Sequence, residues 1–245
     1  MTTAAKRRHR LQSKTIGRGA GPLRSPAISK LAALAFFLMC FIVMAVPAAA
    51  FPLPEEDTLH PGVGLVIASD SSTICTAGFV ARNARGAPVM FTAGHCDTGG
   101  VVEINSRAAK GMVPVGEFVA TEYGGNRGEQ TDVAVMKLSG AVPLSTAVDG
   151  YTVTGTLPSV YIGMPLCKIG ITTGRSCGPV VSATGSKVKF AAQVAGGDSG
   201  GPVYAIKEDG TAVAVGITIR TSDSDGMPVA ELISPWLDRW GLSIT

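Results

Sequence analysis

Charged residues are scarce in this sequence, and neither sign is in large excess. Only 16% of the 245 residues are charged, 46% are hydrophobic, and the formal net charge is +3. An intrinsically disordered protein needs low hydrophobicity and high net charge, and a coiled coil draws about half of its residues from Ala, Glu, Lys, Leu and Arg. The composition therefore excludes both classes.

Histidine and cysteine are too few and too scattered for a metal site. The chain has three histidines and five cysteines, and only His60 and His95 follow the first 50 residues. A structural zinc site needs about four His or Cys ligands at close spacings. We therefore expect no bound metal and no other cofactor.

Acidic residues are absent from the first 54 positions, and this decides what the net charge means. Eight of the 21 basic residues lie within residues 1–30, whereas 13 basic and 18 acidic residues occur from Phe51 onward, a net charge of −5. The overall basic character thus belongs to the N-terminal segment. We expect no nucleic acid partner.

The basic N-terminal segment leads into an unbroken apolar run, Leu31 to Val46, followed by the small residues Ala48–Ala50. This order is typical of a secretory signal with an A-x-A cleavage site. We predict that residues 1–50 are a signal peptide cleaved before Phe51, so that the protein is secreted. The alternative is an uncleaved anchor at the outer face of the cell membrane, because Leu31–Ala50 reaches the roughly 20 residues that span a bilayer.

Four cysteines remain after residue 50, which fits an exported protein with disulfide bonds. Four cysteines allow three pairings, and the pairs that close the shortest loops are Cys75 with Cys96 and Cys167 with Cys177. We expect each of these bridges to join neighbouring strands and to contribute about 2–4 kcal/mol.

The part after residue 50 has almost no helical periodicity. Short runs rich in Val, Ile, Thr and Ala recur instead, separated by clusters of Gly, Asn, Asp, Ser or Pro. The runs cover residues 63–68, 76–81, 89–93, 113–120, 132–138, 165–172, 179–183, 188–194, 202–206 and 212–219. This pattern predicts an antiparallel barrel or sandwich. We expect an extended lead-in over residues 51–62 and one domain over residues 63–245.

One helix is expected, and it lies near the C-terminus. Ser234 can cap it, Pro235 suits its first turn and Gly241 suits its end. Trp236 and Trp240 would share its apolar face, where we expect them to anchor the core.

Three segments place a reactive polar residue in an apolar, Gly-rich setting: TAGHC with His95, TDVAV with Asp132 and GDSGGP with Ser199. Acyl transfer by serine needs a base, a carboxylate that orients the base, and backbone donors for the developing oxyanion. His95, Asp132 and Ser199 suit the side-chain roles, and the N–H groups of Gly197 and Ser199 suit the donors. GDSGG also matches the nucleophile elbow of α/β-hydrolases, but that motif requires a later histidine and none follows His95.

In this order, the three segments resemble those of the trypsin-like serine peptidases of chymotrypsin fold. Residues 167–178, CKIGITTGRSCG, are similar to a disulfide-closed stretch of the secreted bacterial branch that includes α-lytic protease and the streptogrisins. The resemblance implies an all-β fold of two six-stranded antiparallel barrels with a boundary near residues 145–160, a C-terminal helix, and the triad in the cleft. It also implies an ion pair between Lys168 and Asp198, protein or peptide substrates, and a monomer.

The segment after the nucleophile departs from the family pattern. Ile219 stands where the family usually has a serine that helps to hold the triad carboxylate, and Arg220 and Thr221 replace small residues at the wall of the specificity pocket. Thr218 and Gln193 complete the expected pocket. Gln193 is not an acid and no histidine is expected nearby, so the resemblance argues against preference for Arg, Lys or Glu.

Two functions follow as hypotheses. The first is a secreted serine endopeptidase that hydrolyses peptide bonds through an acyl-enzyme on Ser199. The alternative is a chymotrypsin-fold binding module, catalytically weak or inactive, whose substrate pocket is obstructed by Ile219, Arg220 and Thr221.

Overall fold

The computed structural model describes residue 54, residues 56–69 and residues 72–244. The predicted signal segment, residues 1–50, lies outside the described residues. Within the described part, no helix is long and apolar enough to cross a membrane.

The N-terminal half of the described chain forms one antiparallel sheet. Its strands are β1 Gly64–Ala68, β2 Thr73–Thr76, β3 Val80–Asn83, β4 Pro88–Thr92, β5 Val101–Ser106, β6 Gly111–Tyr123 and β7 Asp132–Leu138. They are arranged in the order β3-β4-β7-β6-β5-β1-β2. Its two outer strands, β2 and β3, are consecutive in the chain, so the connection Ala77–Phe79 joins the ends of the curled sheet. The Ala77 N–H donates to the Val63 carbonyl at 2.8 Å and the Gly78 N–H to the Phe91 carbonyl at 2.8 Å.

The C-terminal half forms a barrel that closes by strand pairing. Its strands are β8 Val153–Thr156, β9 Pro165–Gly170, β10 Gly174–Ala183, β11 Lys187–Phe190, β12 Pro202–Ile206, β13 Ala212–Thr221 and β14 Pro228–Leu232. Six of them form the ring β12-β9-β10-β11-β14-β13, which closes through a β12–β13 pairing. Strand β8 pairs in parallel with β13. The predicted two-barrel all-β fold is confirmed, although only this second barrel closes through paired strands.

Helix α1, Ser234–Trp240, follows the second barrel and leads back to the first. After it, β15, Leu242–Ser243, pairs with β3. Gly241 ends the helix in a left-handed conformation with φ 61°, as predicted. The predicted cap was wrong: Ile233 occupies the N-cap position, and no side-chain hydrogen bond caps the helix.

The tryptophans of α1 pack into the core, as expected. Trp236 is only 6% exposed, and the Trp240 ring stacks on Phe91 of β4 with 6.1 Å between ring centroids. Their cluster includes side chains from both halves of the molecule, whereas a second cluster, with Leu166 and Phe190, lies inside the second barrel. The C-terminal helix therefore helps to hold the two halves together, and the cleft between them is built on packed apolar side chains.

The four cysteines form the two bridges favoured by loop length. Cys167 and Cys177 face each other on the paired strands β9 and β10. Cys75 of β2 is bonded to Cys96, which belongs to a short 3₁₀ turn over Gly94–Cys96 instead of a strand. The first bridge therefore ties a loop, and not a neighbouring strand, to the sheet.

Candidate active site

His95 lies on the 3₁₀ turn that follows β4, and the backbone around it forces the turn close to β7. A Cβ atom added to Gly94 would come within 2.7 Å of the Glu122 carbonyl oxygen and 2.9 Å of the Val133 nitrogen. Only glycine permits this approach. Together with the Cys75–Cys96 bridge, the close contact holds the His95 ring over the start of β7.

Asp132 is the first residue of β7, and its side chain is completely buried. One carboxylate oxygen, Oδ2, lies 2.8 Å from His95 Nδ1, and the other, Oδ1, accepts the His95 backbone N–H at 2.9 Å. Two hydrogen bonds to one residue fix both the position and the ring orientation of the histidine, leaving Nε2 free to face the cleft.

Glu231 of β14 holds Asp132 from behind, which the sequence analysis did not anticipate. Glu231 Oε2 accepts the Asp132 backbone N–H at 3.1 Å and lies 3.0 Å from Lys187 Nζ, while Oε1 accepts the Trp236 indole N–H at 3.1 Å. Glu231 is 1% exposed, so this network is shielded from bulk solvent. The one available signal was an isolated acid within the apolar run of β14, because a buried charge needs partners.

Ile219 stands where the family usually has a serine that helps to hold the triad carboxylate, and the structure shows where its side chain lies. Ile219 is 1% exposed and joins the apolar cluster that spans both halves of the molecule. Asp132 keeps its two bonds to His95 without such a serine. The Glu231 contact to the Asp132 backbone is the additional support that this chain provides.

Ser199 lies on the Gly-rich loop between β11 and β12, and backbone hydrogen bonds tie this loop to both halves of the molecule. The Thr76 N–H of β2 donates to the Ser199 carbonyl at 2.7 Å, and the Gly200 N–H donates to the Thr218 carbonyl of β13 at 2.7 Å. Gly200 has φ 86°, which favours glycine at this position. The loop therefore carries the serine at the boundary between the two barrels.

Ser199 and His95 line the same cavity, which also borders Thr218. Among the described residues, no hydrogen bond links the Ser199 hydroxyl to the imidazole. Hydrogen bonds of this kind often tighten only when substrate is bound. The structure thus brings together all three residues of the predicted triad, with the His95–Asp132 contact already formed.

Two backbone N–H groups beside Ser199 point to an anion site. The N–H groups of Gly197 and Ser199 have no acceptor among the described residues. Gly197 has φ 96°. The Gly196 carbonyl, which belongs to the same peptide group as the Gly197 N–H, accepts the Thr172 hydroxyl at 2.6 Å, and this bond fixes the orientation of that peptide plane. Unpaired backbone donors that are held in place next to a nucleophile suit a developing oxyanion.

The acid before the serine is paired with a lysine, as the resemblance implies. Lys168 Nζ lies 2.7 Å from Asp198 Oδ2, and neither side chain is exposed. Thr173, which the sequence analysis missed, donates its hydroxyl to the same oxygen at 2.6 Å and also contacts Lys168 Nζ. The pair attaches the nucleophile loop to β9.

Backbone donors complete the environment of Asp198. The N–H groups of Thr172 and Thr173 donate to Oδ1 at 2.9 and 3.1 Å, and the Ala195 N–H donates to Oδ2 at 3.0 Å. Burial by itself would raise the pKa of Asp198, but the hydrogen bonds from Lys168, Thr173 and Ala195 outweigh it and lower the pKa below its ordinary value. The carboxylate therefore stays ionised at neutral pH.

The cavity beside Ser199 has a volume of about 310 Å³. Its lining includes four of the five residues predicted for the specificity pocket, Thr218, Ile219, Arg220 and Thr221. The fifth, Gln193, is exposed and does not line it. The residues that the sequence analysis did not name are Tyr123, Asn126, Val194, Ala195 and Gly196.

One group of side chains has the spacing of metal ligands. Cys75, His95 and Cys96 place one ligand atom each within 4.8 Å of one another. The two sulfurs are bonded to each other, however, and a disulfide offers no thiolate. His95 is moreover engaged by Asp132, so the chemistry of this cluster does not suit a metal ion.

Comparison with known proteins gives concordant results. The sequence profile of the Trypsin family matches residues 60–229. Uncharacterized protein Rv1815 of Mycobacterium tuberculosis is 32% identical over 165 residues, which span 63% of this chain and 71% of that protein.

Solved structures with the same fold include bacterial proteases. Nocardiopsis protease (NAPase) has a TM-score of 0.58 and 25% identity, covering 76% of this chain and 98% of that chain. The α-lytic protease homolog N4 has a TM-score of 0.60 and 27% identity, covering 77% of this chain and 100% of that chain.

Proposed function

Since this chain belongs to the trypsin family, we propose that it is a serine endopeptidase that hydrolyses peptide bonds through an acyl-enzyme on Ser199. The observation that carries the proposal is the 2.8 Å contact between His95 and a fully buried Asp132, at a cavity that also holds Ser199. A buried carboxylate fixes the imidazole so that Nε2 can act as a base.

In the first step, His95 Nε2 takes the Ser199 hydroxyl proton as Oγ attacks the substrate carbonyl carbon. The carbonyl electrons move to its oxygen, which the N–H groups of Gly197 and Ser199 stabilise. Asp132 accepts the hydrogen bond from Nδ1 and balances the charge of the imidazolium. When the tetrahedral intermediate collapses, the C–N bond breaks and His95 gives its proton to the leaving amine.

In the second step, water replaces the leaving amine. His95 takes a proton from the water as its oxygen attacks the acyl-enzyme carbonyl, and a second tetrahedral intermediate forms in the same donor site. Its collapse breaks the ester bond, and the proton returns to Ser199 Oγ. The cycle releases a carboxylic acid and restores the serine.

A fluorophosphonate probe tests this proposal, because it reacts only with an activated serine. We expect the exported protein to be labelled, and labelling to be lost in Ser199→Ala and in His95→Ala. The matched control is Ser182→Ala, which removes an exposed serine of β10 that does not line the cavity and should keep labelling. A folded parent protein that never labels would overturn the proposal.

The alternative function is a binding module with an obstructed pocket, and the same exported protein can be used to test it. The cavity of about 310 Å³ next to Ser199 favours the peptidase, since this space stays open although Ile219, Arg220 and Thr221 all line it. A peptide-library digest separates the two: cleavage that disappears in His95→Ala excludes a purely binding role, whereas intact peptides together with tight binding would favour that role.

We also propose that the protein acts outside the cell after cleavage before Phe51. Two disulfide bonds support export, because disulfides persist in oxidising compartments. N-terminal sequencing of the exported protein should give Phe51, and a start before Leu31 would favour the anchored form.

The proposed substrates are proteins or peptides, cut by a monomer. None of the described residues that line the cavity is acidic, which argues against Arg or Lys as the residue whose carbonyl is attacked. Profiling the cleavage sites of the exported protein would define that residue directly.

A further inference from the structure

Two buried side-chain polar atoms in the described part of the chain lack a hydrogen-bond partner, and both belong to the lining of the cavity beside Ser199. They are Thr218 Oγ1 and Arg220 Nη1. Burying a charged donor without an acceptor is costly, because the donor has given up its hydrogen bonds to water. Because neighbouring protein atoms cover both atoms, a ligand in the cavity that supplies acceptors would pair with them after a small rotation of the side chain and so remove this cost.

The Arg220 guanidinium is anchored at one end and unpaired at the other. Nη2 donates to the Gly128 carbonyl at 2.6 Å. Arg220 forms no ion pair within 4.0 Å between described residues. The neighbouring acid, Glu129, instead accepts the hydroxyls of Thr184 and Ser186 at 2.8 and 2.6 Å.

The cavity itself favours an anion at Arg220. Arg220 is the one permanently charged residue of its lining, and no acid occurs in that lining among the described residues. A guanidinium held at one edge presents its remaining N–H groups in a fixed plane, which matches a carboxylate. In a partly enclosed cleft, this attraction is weakened by solvent less than it would be on an open surface.

The anchor also indicates where along the substrate the anion lies. Gly128 is on the loop between β6 and β7, whereas the wall of Val194, Ala195 and Gly196 precedes Ser199 on the nucleophile loop. The Arg220 guanidinium is thus tied to a loop of the first barrel, whereas this wall belongs to the second. For this reason we place its partner on a residue of the bound peptide other than the one whose carbonyl Ser199 attacks.

We propose that Arg220 is a specificity residue that binds a Glu or Asp side chain of the substrate, on a residue other than the one whose carbonyl is attacked. The location of the attacked carbonyl rests on the proposed function, but binding of the acidic peptide does not require catalysis. The substrate class is then acidic peptide segments.

The test measures binding and cleavage separately. Binding uses the exported protein with Ser199→Ala and fluorescent octapeptides in which one position at a time is Glu or Gln. At one position, the Glu peptide is expected to bind at least about tenfold more tightly than its Gln partner, which is the range of hydrogen bonds to a charged group. Adding Arg220→Gln should reduce the ratio to about one, and Arg220→Lys should leave an intermediate ratio.

Arg127→Gln is the matched control, since Arg127 is an exposed arginine one residue from Gly128 and does not line the cavity. It should keep the full Glu preference. A Glu preference that survives Arg220→Gln, or the absence of any preference in the parent, overturns the proposal. An equal loss of binding for the Glu and Gln peptides in Arg220→Gln also overturns it, because that result means that the guanidinium only holds the loop over residues 124–131.

Cleavage of the same peptides by the protein with Ser199 intact locates the attacked carbonyl. A preference confined to that residue also overturns the proposal. If Ser199 never labels, the proposed function fails while the binding result stands. If Ser199 is labelled but the Glu and Gln peptides bind equally well, the proposed function stands and the proposed role of Arg220 fails.

Discussion

Two buried lysine–carboxylate pairs support the site from behind, and they differ in how they are built. Lys168 and Asp198 join β9 to the nucleophile loop with 2.7 Å between the charged atoms. Lys187 and Glu231 face each other across the paired strands β11 and β14, with 3.0 Å between the charged atoms. The first pair supports the segment that carries Ser199, and the second supports the backbone of Asp132.

The two pairs differ in how many other partners the lysine has besides its carboxylate. Asp198 is completely buried and the Lys168 Nζ finds only Asp198 and Thr173 among the described residues. Lys187 is 5% exposed at its side chain and contacts two neutral acceptors besides Glu231: the Ser186 hydroxyl at 3.1 Å and the Glu129 carbonyl at 3.4 Å. A lysine with a second neutral acceptor and some solvent tolerates the loss of its carboxylate better than one in a dry site.

The largest expected effect comes from removing the lysine of the first pair. Lys168→Met keeps the length of the side chain but leaves the buried Asp198 charge without its counter-charge, which we expect to lower the free energy of unfolding by about 3–5 kcal/mol. Fluorophosphonate labelling of Ser199 should fall with it, because the nucleophile loop loses its attachment to β9. Urea unfolding and the labelling rate measure the two effects.

Lys137→Met is the control for that change. Lys137 pairs with Glu117 at the surface, where both side chains are more than half exposed. A surface pair is worth about 0–1 kcal/mol, so the control should unfold nearly as the parent does. Equal losses for Lys137→Met and Lys168→Met would show that burial does not distinguish the pairs.

An intermediate effect is expected from Glu231→Gln. The amide has one acceptor oxygen, so Asp132 N–H and the Trp236 indole can no longer both be satisfied, and Lys187 loses its counter-charge. We expect a loss of about 2 kcal/mol in the free energy of unfolding. The labelling rate of Ser199 should fall by about tenfold, because small shifts in catalytic geometry slow the reaction strongly.

Trp236→Phe separates the two roles of Glu231. It removes the indole donor and leaves the contact between Glu231 and the Asp132 backbone intact, so it should lower stability but keep the labelling rate. A labelling rate that falls equally in both variants would show that Glu231 acts on the core alone. An unchanged labelling rate in Glu231→Gln would show that Glu231 does not help to position Asp132.

The smallest expected effect is titration of the first pair, because the lysine and the backbone donors stay in place. The folded-state pKa of Asp198 lies below the ordinary value of 3.8. Its contribution to stability is therefore fully present above pH 3.8 and is lost as pH falls through the lower folded-state pKa. Urea unfolding between pH 6 and pH 2 should show that the free energy of unfolding falls less in Asp198→Asn than in the parent. The same dependence of this free energy on pH in both proteins would contradict the linkage.

The chemistry of the site could be predicted largely from local motifs. His95, Asp132 and Ser199 each stand in a short segment that signals a role, and the structure brings the three together. The predicted runs miss β5, β8, β14 and β15 and touch β2 only at its last residue, Thr76. Strand β5 was missed although its alternating burial is typical of a strand, and the other four have only two to five residues. Gln193 was expected at the pocket because it lies six residues before Ser199. The residues that follow it, Val194 to Gly196, line the cavity instead.

Glu231 shows why the rest could not be predicted. It contacts Asp132, which lies 99 positions earlier, and Lys187 on another strand. Nothing in the local pattern of β14 identifies these partners, because they are selected by the register of β11 against β14 and by the approach of the two halves of the molecule.

The sequence alone determined the residue types and their chain order: a base, a carboxylate, a nucleophile, Gly-rich turns and short strands. These features depend on local chemistry and on the two-residue period of strands, which act over a few residues. Only the tertiary structure decided that Glu231 supports Asp132, that Ile219 joins the core, and that Arg220 is left with an unpaired donor in the cavity. Those outcomes depend on barrel closure and on packing between segments that are far apart in the chain.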